Sequence, residues 1–158
     1  MEFDDFYRDA HPRLVAALVG FCGDADVGRD AADEAVVRAF ERWDSVRDMG
    51  SPSGWLFQTG FNVARRTMRR RRHFGRLLRR LEPVRVVEGP AGELWELVGG
   101  LGERQRQAVV LRHVADLTEP DIAEVMGVTR GTVSSTLRAA YGALRTQLDS
   151  EPSTEEVF

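Results

Sequence analysis

Residues 117–148, LTEPDIAEVMGVTRGTVSSTLRAAYGALRTQL, decide how this chain folds. Thr118 offers the hydroxyl of a helix N-cap, with Pro120 in the first turn and Asp121 three residues after the cap. Ile122, Ala123, Val125 and Met126 supply an apolar face. Gly127, lacking a Cβ, suits the left-handed residue that ends a helix. Thr129 caps a longer helix, and Val133, Leu137, Ala140, Leu144 and Leu148 recur along one side of it. Two helices about a short glycine turn form a helix-turn-helix, the geometry that seats a second helix in a major groove. An ordinary helical hairpin has the same spacing, so this segment alone leaves both readings open.

Working outward, the chain reads as all-α, two small helical domains joined by a flexible linker. Phe3, Phe6, Tyr7 and Ala10 recur at helical spacing. Pro12 predicts the first turn of a separate helix carrying Leu14, Val15, Leu18 and Phe21. A turn at GDADVG precedes a longer helix over about 27–43, with Ala35, Val36, Ala39, Phe40 and Trp43 on its apolar side. RDMGSPSG (47–54) reads as a loop, and a helix starting near 52–53 runs into an arginine block. The boundaries follow: a first domain over 1–81, a linker over 82–92, a second domain over 93–148 and a polar acidic tail over 149–158.

The net charge of -3 by itself argues against a nucleic-acid partner, but its distribution argues for one. Residues 1–60 carry a balance of -6, residues 61–80 hold nine arginines and no acid, and residues 149–158 return to -4. A polyanion feels the local field of the arginine block rather than the sum. The single Cys22 excludes an internal disulfide, and the scattered His11, His73 and His113 give no metal-site spacing. No run approaches the ~20 apolar residues of a membrane span, and the acidic start is no signal peptide, so a cytoplasmic protein is expected. Nothing pairs a nucleophile with a base or cradles a phosphate on glycines, so neither an enzyme nor a cofactor is expected.

Asn62 shares a helical face with Arg65, Arg66, Arg69 and Arg70, which joins phosphate-binding charge to an amide able to read a base edge. Trp43, Trp55, Phe57 and Phe61 lie close by in sequence. They serve either as stacking faces for unstacked bases or as core. On the acidic helix, Asp30, Asp33, Glu34 and Arg38 form one polar stripe, either a docking surface for a protein or a solvated face.

Taken as a set, these segments resemble the extracytoplasmic-function sigma factors of the sigma-70 family. FDDFYRDAHPRLVAAL resembles the family's opening helix pair, DAADEAVVRAFERW its polymerase-docking helix, and SGWLFQTGFNVARRTMRRRR its minus-ten reader. LGERQRQAVVLRHVADLTEPDIAEVMGVTRGTVSSTLRAA resembles the four-helix minus-thirty-five reader. The resemblance implies a sigma factor that binds core RNA polymerase, through the β′ clamp and the β subunit, and directs it to promoter DNA. Asp30, Asp33, Glu34 and Arg38 would dock on polymerase. The loop 47–54 and Asn62 would capture a flipped base, with Trp43 and Trp55 beside it and Arg65, Arg66, Arg69 and Arg70 on phosphates. Arg130, Thr132, Ser134, Ser135 and Arg138 would face the upstream groove. Catalysis would belong to the polymerase, and an anti-sigma factor commonly holds proteins of this type.

The chain also departs from the family. Ala31, Asp33 and Val36 replace larger apolar residues and a Gln, and Ser134, Thr136 and Ala139 stand where basic residues are usual. That leaves a thin basic surface on the recognition helix and puts most DNA affinity in the arginine block. Two alternatives remain at this point: a DNA-binding regulator of LuxR-like helix-turn-helix type, and a sigma-like interaction protein with reduced promoter reading.

Overall fold

The computed structural model describes residues 1–78 and 90–150, and every regular element among them is an α-helix. The first half contains α1 (Phe3–Cys22), α2 (Ala25–Glu41), α3 (Trp43–Val46) and α4 (Pro52–Leu78). The second contains α5 (Pro90–Gly99), α6 (Glu103–His113), α7 (Glu119–Met126) and α8 (Arg130–Ser150).

The helix break predicted at Pro12 does not occur, because α1 runs through it. Phe6, Ala10, Leu14, Ala17, Leu18 and Phe21 form one buried stripe on both sides of the proline. Each large apolar side chain buried there contributes about 1.5–3 kcal/mol. Together they outweigh the ~3 kcal/mol that an interior proline costs a helix. The turn expected over 23–28 shrinks to Gly23 and Asp24, since Asp24 Oδ1 caps α2 by accepting from the backbone N–H groups of Asp26 (2.9 Å) and Val27 (3.1 Å). Its other oxygen accepts from Arg71 at 3.0 Å, tying α2 to α4.

Small residues bring the helices of the first half close together. A Cβ on Gly28 would stand 2.6 Å from the Val19 backbone nitrogen, so only glycine allows α2 to lie so near α1. Ala31, Ala32, Ala35 and Ala39 continue this stripe, and α4 closes the layer with Leu56, Phe57, Phe61 and Ala64. Phe40, expected on the apolar side of α2, is instead 65% exposed, because the alanines rather than the larger residues define the buried face. Next to this core, burial pushes the Cys22 thiol up to about 12, which keeps it protonated and unreactive at neutral pH.

The second half carries the expected helix-turn-helix. Thr118 caps α7, Gly127 ends it in the left-handed conformation (φ 65°), and the Thr129 hydroxyl accepts from the Thr132 N–H at 3.1 Å. Val133, Leu137 and Ala140 are buried, whereas Leu148, expected on the same stripe, is 57% exposed, and it is the neighbouring Gln147 that lies against Gly100. Residues 151–158 of the acidic tail, the end of the expected first domain with Arg79 and Arg80, and most of the linker lie outside the described residues; α8 runs on to Ser150, and α5 begins at Pro90, inside the expected linker.

The two halves do not hang separately from that linker. Their buried residues form one continuous core, with α1 packed on α5 and α6 and α4 packed on α7. Arg13 of α1 donates from Nε to the Ala115 carbonyl at 2.9 Å. Phe21 meets Phe61 edge-on at 4.9 Å, with Arg65 and Arg106, one from each half, over its ring.

Candidate nucleic-acid interface

Trp55, Thr59, Asn62 and Arg66 recur along one face of α4, and opposite them the last turn of α2 and the residue after it supply Arg38, Glu41 and Arg42. These seven residues line a cavity of about 320 Å³. Three guanidinium groups against one carboxylate leave it positive, with an indole on the wall and an amide beside it. That combination suits a phosphate together with an unstacked base. Of the residues proposed from sequence to read and melt DNA, the structure brings Trp55, Asn62 and Arg66 together here. Arg38, assigned by resemblance to polymerase docking, joins them while pairing with Glu34. Thr59, Glu41 and Arg42 went unrecognised, because only the tertiary approach of α2 to α4 makes them neighbours.

The other candidates divide by location. Trp43 is half-buried against Phe6 (centroids 4.9 Å) and Phe3 (5.3 Å), which leaves it part of the core rather than a free stacking face. Arg69 and Arg70 are exposed toward the end of α4, and Arg69 Nε donates to the Arg65 carbonyl. Arg65 turns toward the second half, where it donates from Nε to Glu103 at 2.9 Å and from a terminal nitrogen to Gln107, a residue 1% exposed. Its remaining nitrogen reaches the Asn62 side-chain oxygen at 3.4 Å.

On the outward face of α2, Asp30, Asp33 and Glu34 are exposed, and the His11 ring meets Asp33 at 3.2 Å. Val37 (55% exposed) and Phe40 stand among these acids. An apolar pair in water, ringed by charge, is the composition of a protein-docking surface. The sequence signal for it was the run of alanines on the opposite side, which alone fixes which way Val37 and Phe40 point.

On α8, Arg130, Thr132, Ser135 and Arg138 are exposed. Ser134 is half-buried and donates to Glu119 at 2.5 Å, fastening α8 to α7 instead of facing a groove. The Ser135 hydroxyl donates to the Thr132 carbonyl at 3.1 Å.

With this geometry in place, the comparisons with known proteins agree with one another. The family profile for sigma-70 region 2 matches residues 6–74, and that for sigma-70 region 4 matches residues 91–144. An RNA polymerase sigma-E factor of Streptomyces avermitilis is 28% identical, over 95% of this chain and 87% of its own. An ECF RNA polymerase sigma factor, EcfG of Rhodopseudomonas palustris, is 26% identical over 91% and 86%. Among solved structures, the fold is shared with the sigma factor RpoE of Bartonella quintana, solved with the anti-sigma factor NepR (TM-score 0.80, 23% identity, 95% of this chain and 98% of that one). It is shared as well with CnrH, solved with the cytosolic domain of CnrY (TM-score 0.71, 22% identity, 95% and 89%). A region 2 match over the first half disfavours a LuxR-like regulator. The chain belongs to the sigma-70 family, as an extracytoplasmic-function sigma factor with region two in its first half and region four in its second.

Proposed function

We propose that this sigma factor melts and holds the promoter minus-ten element on the α4 face between Trp55 and Arg70, while the outer face of α2 grips core polymerase. Membership of the family makes it a factor that binds core RNA polymerase and promoter DNA and directs transcription initiation. The observation that carries the residue-level reading is the positive cavity beside Trp55 and Asn62, built from both α2 and α4. A base flipped from the non-template strand costs a few kcal/mol of unstacking, which stacking on Trp55 and hydrogen bonding to Asn62 would offset. Arg66, Arg69 and Arg70 neutralise the adjoining phosphates. Asp30, Asp33 and Glu34, with Val37 and Phe40 between them, meet the polymerase clamp. Arg130, Thr132, Ser135 and Arg138 face the upstream element, more sparsely charged than the α4 face.

Bond making belongs to the polymerase and takes place in the cytoplasm; no described helix is long and apolar enough to cross a membrane. An anti-sigma factor is a further partner on this reading. Its support is an apolar cavity of about 710 Å³ between the halves, whose walls include Val15, Val19, Met68, Trp95 and Val114. The test is transcription with purified components. Added to core polymerase on genomic fragments, the chain should yield discrete run-off transcripts, and failure to bind core would overturn the proposal.

A further inference from the structure

Resting on that reading of α4, we propose that region four is an intramolecular competitor of promoter DNA, with Glu103 and Glu124 laying carboxylates on two places of region two that flank the cavity for the flipped base, Arg65 and the loop before α4. The first place is Arg65. All three of its guanidinium nitrogens are engaged, by Glu103, Gln107 and Asn62, and two of those partners come from region four. A carboxylate on a guanidinium has the geometry and charge of a phosphate on a guanidinium, so a DNA phosphate reaches Arg65 only by displacing Glu103. The second place is the loop before α4. Met49, Gly50, Ser51, Gly54, Trp55 and Gln58 line a small cleft there, and Glu124 of α7 lines it from the other half. A Cβ on Gly54 would stand 3.6 Å from the Glu124 carboxyl carbon. The loop thus faces an acid where a flipped base would enter.

These contacts belong to a built interface. The shared core, the Arg13 bond to the Ala115 carbonyl and the two guanidinium groups over Phe21 hold α6 and α7 in place while the acids face region two. The cavity holding Asn62 and Arg66 stays open. The lock therefore removes part of the DNA surface and leaves the rest as a foothold from which DNA, together with core polymerase, can pry the halves apart.

The test uses the full chain without polymerase. The probe is a fluorescein-labelled mixed-sequence single strand of about 20 nucleotides, read by anisotropy. Glu103→Gln with Glu124→Gln should bind it about fivefold or more tighter than the parent. The same pair should enlarge the radius of gyration in X-ray scattering. Glu93→Gln with Asp149→Asn removes equal charge from exposed acids that form no bond to region two among the described residues, and it should change affinity less than about twofold. Unchanged affinity in the interface pair, or an equal gain in the control pair, overturns the lock. Should the interface pair fail to fold by circular dichroism, Glu124→Gln alone takes its place, with a gain of about twofold expected and none overturning. Run-off transcription is scored separately. A chain that gains DNA affinity but never programs core fails only the proposed function; one that programs core without the gain fails only the lock.

Discussion

Asp24 joins three helices through one carboxylate, since it sits where α1 ends, caps α2 and pairs with Arg71 of α4. The hydrogen bond from Val27, reinforced by the Arg71 charge, holds its pKa below the usual carboxylate value. A folded-state pKa lower than the unfolded one stabilises the fold fully above the ordinary carboxylate range. That stability is lost as pH falls through the folded value. Asp24→Ala should therefore cost about 1 kcal/mol in urea melts at neutral pH, and the difference should vanish in acid. A difference independent of pH would mean that the carboxylate's charge plays no part. The cap itself was not legible in the sequence, where GDADVG reads as a six-residue turn, because the choice of Asp24 over Asp26 depends on where α1 lets go.

The elements divide between what local chemistry announces and what packing decides. The helix-turn-helix was legible because Thr118, Gly127 and Thr129 act on neighbours within four residues. The unbroken α1 was not, since Pro12 is a local signal overruled by partners elsewhere in the chain. The arginine block was legible as charge but not as roles. Arg71 holds Asp24 and Arg65 faces Glu103, whereas Arg66, Arg69 and Arg70 are exposed along the face proposed to meet phosphates. Replacing those three by Ala should reduce the slope of log affinity against log salt on single strands by about 2. An unaltered slope would return them to the role of a solvated helix end. On α2, Val37→Ser with Phe40→Ser should weaken binding to core polymerase about tenfold while shifting stability by no more than ~0.5–1 kcal/mol. Comparable losses of folding and binding would show that Phe40 serves its ring contact with Phe3 instead.

For the whole molecule, the decisive fact is that both halves draw on one core. The sequence suggested separation, because the stretch between the halves is rich in proline and glycine and the pairing of Arg65 with Glu103 bridges 38 positions that no local rule connects. A shared core predicts a single unfolding transition, with calorimetric and van't Hoff enthalpies in agreement. Two resolved transitions would mean that the halves fold alone and merely touch. The chain has three tryptophans, of which two, Trp43 and Trp55, lie in the first half. Trp95, in the second, lies so close over Gly20 that a Cβ there would stand 2.6 Å from an indole carbon. Parting the halves strips that indole of its neighbour and wets it. The molecule thereby carries a built-in optical gauge: in a Trp43→Phe, Trp55→Phe background, emission should move to the red as polymerase or DNA opens the chain, reporting the motion without any attached dye.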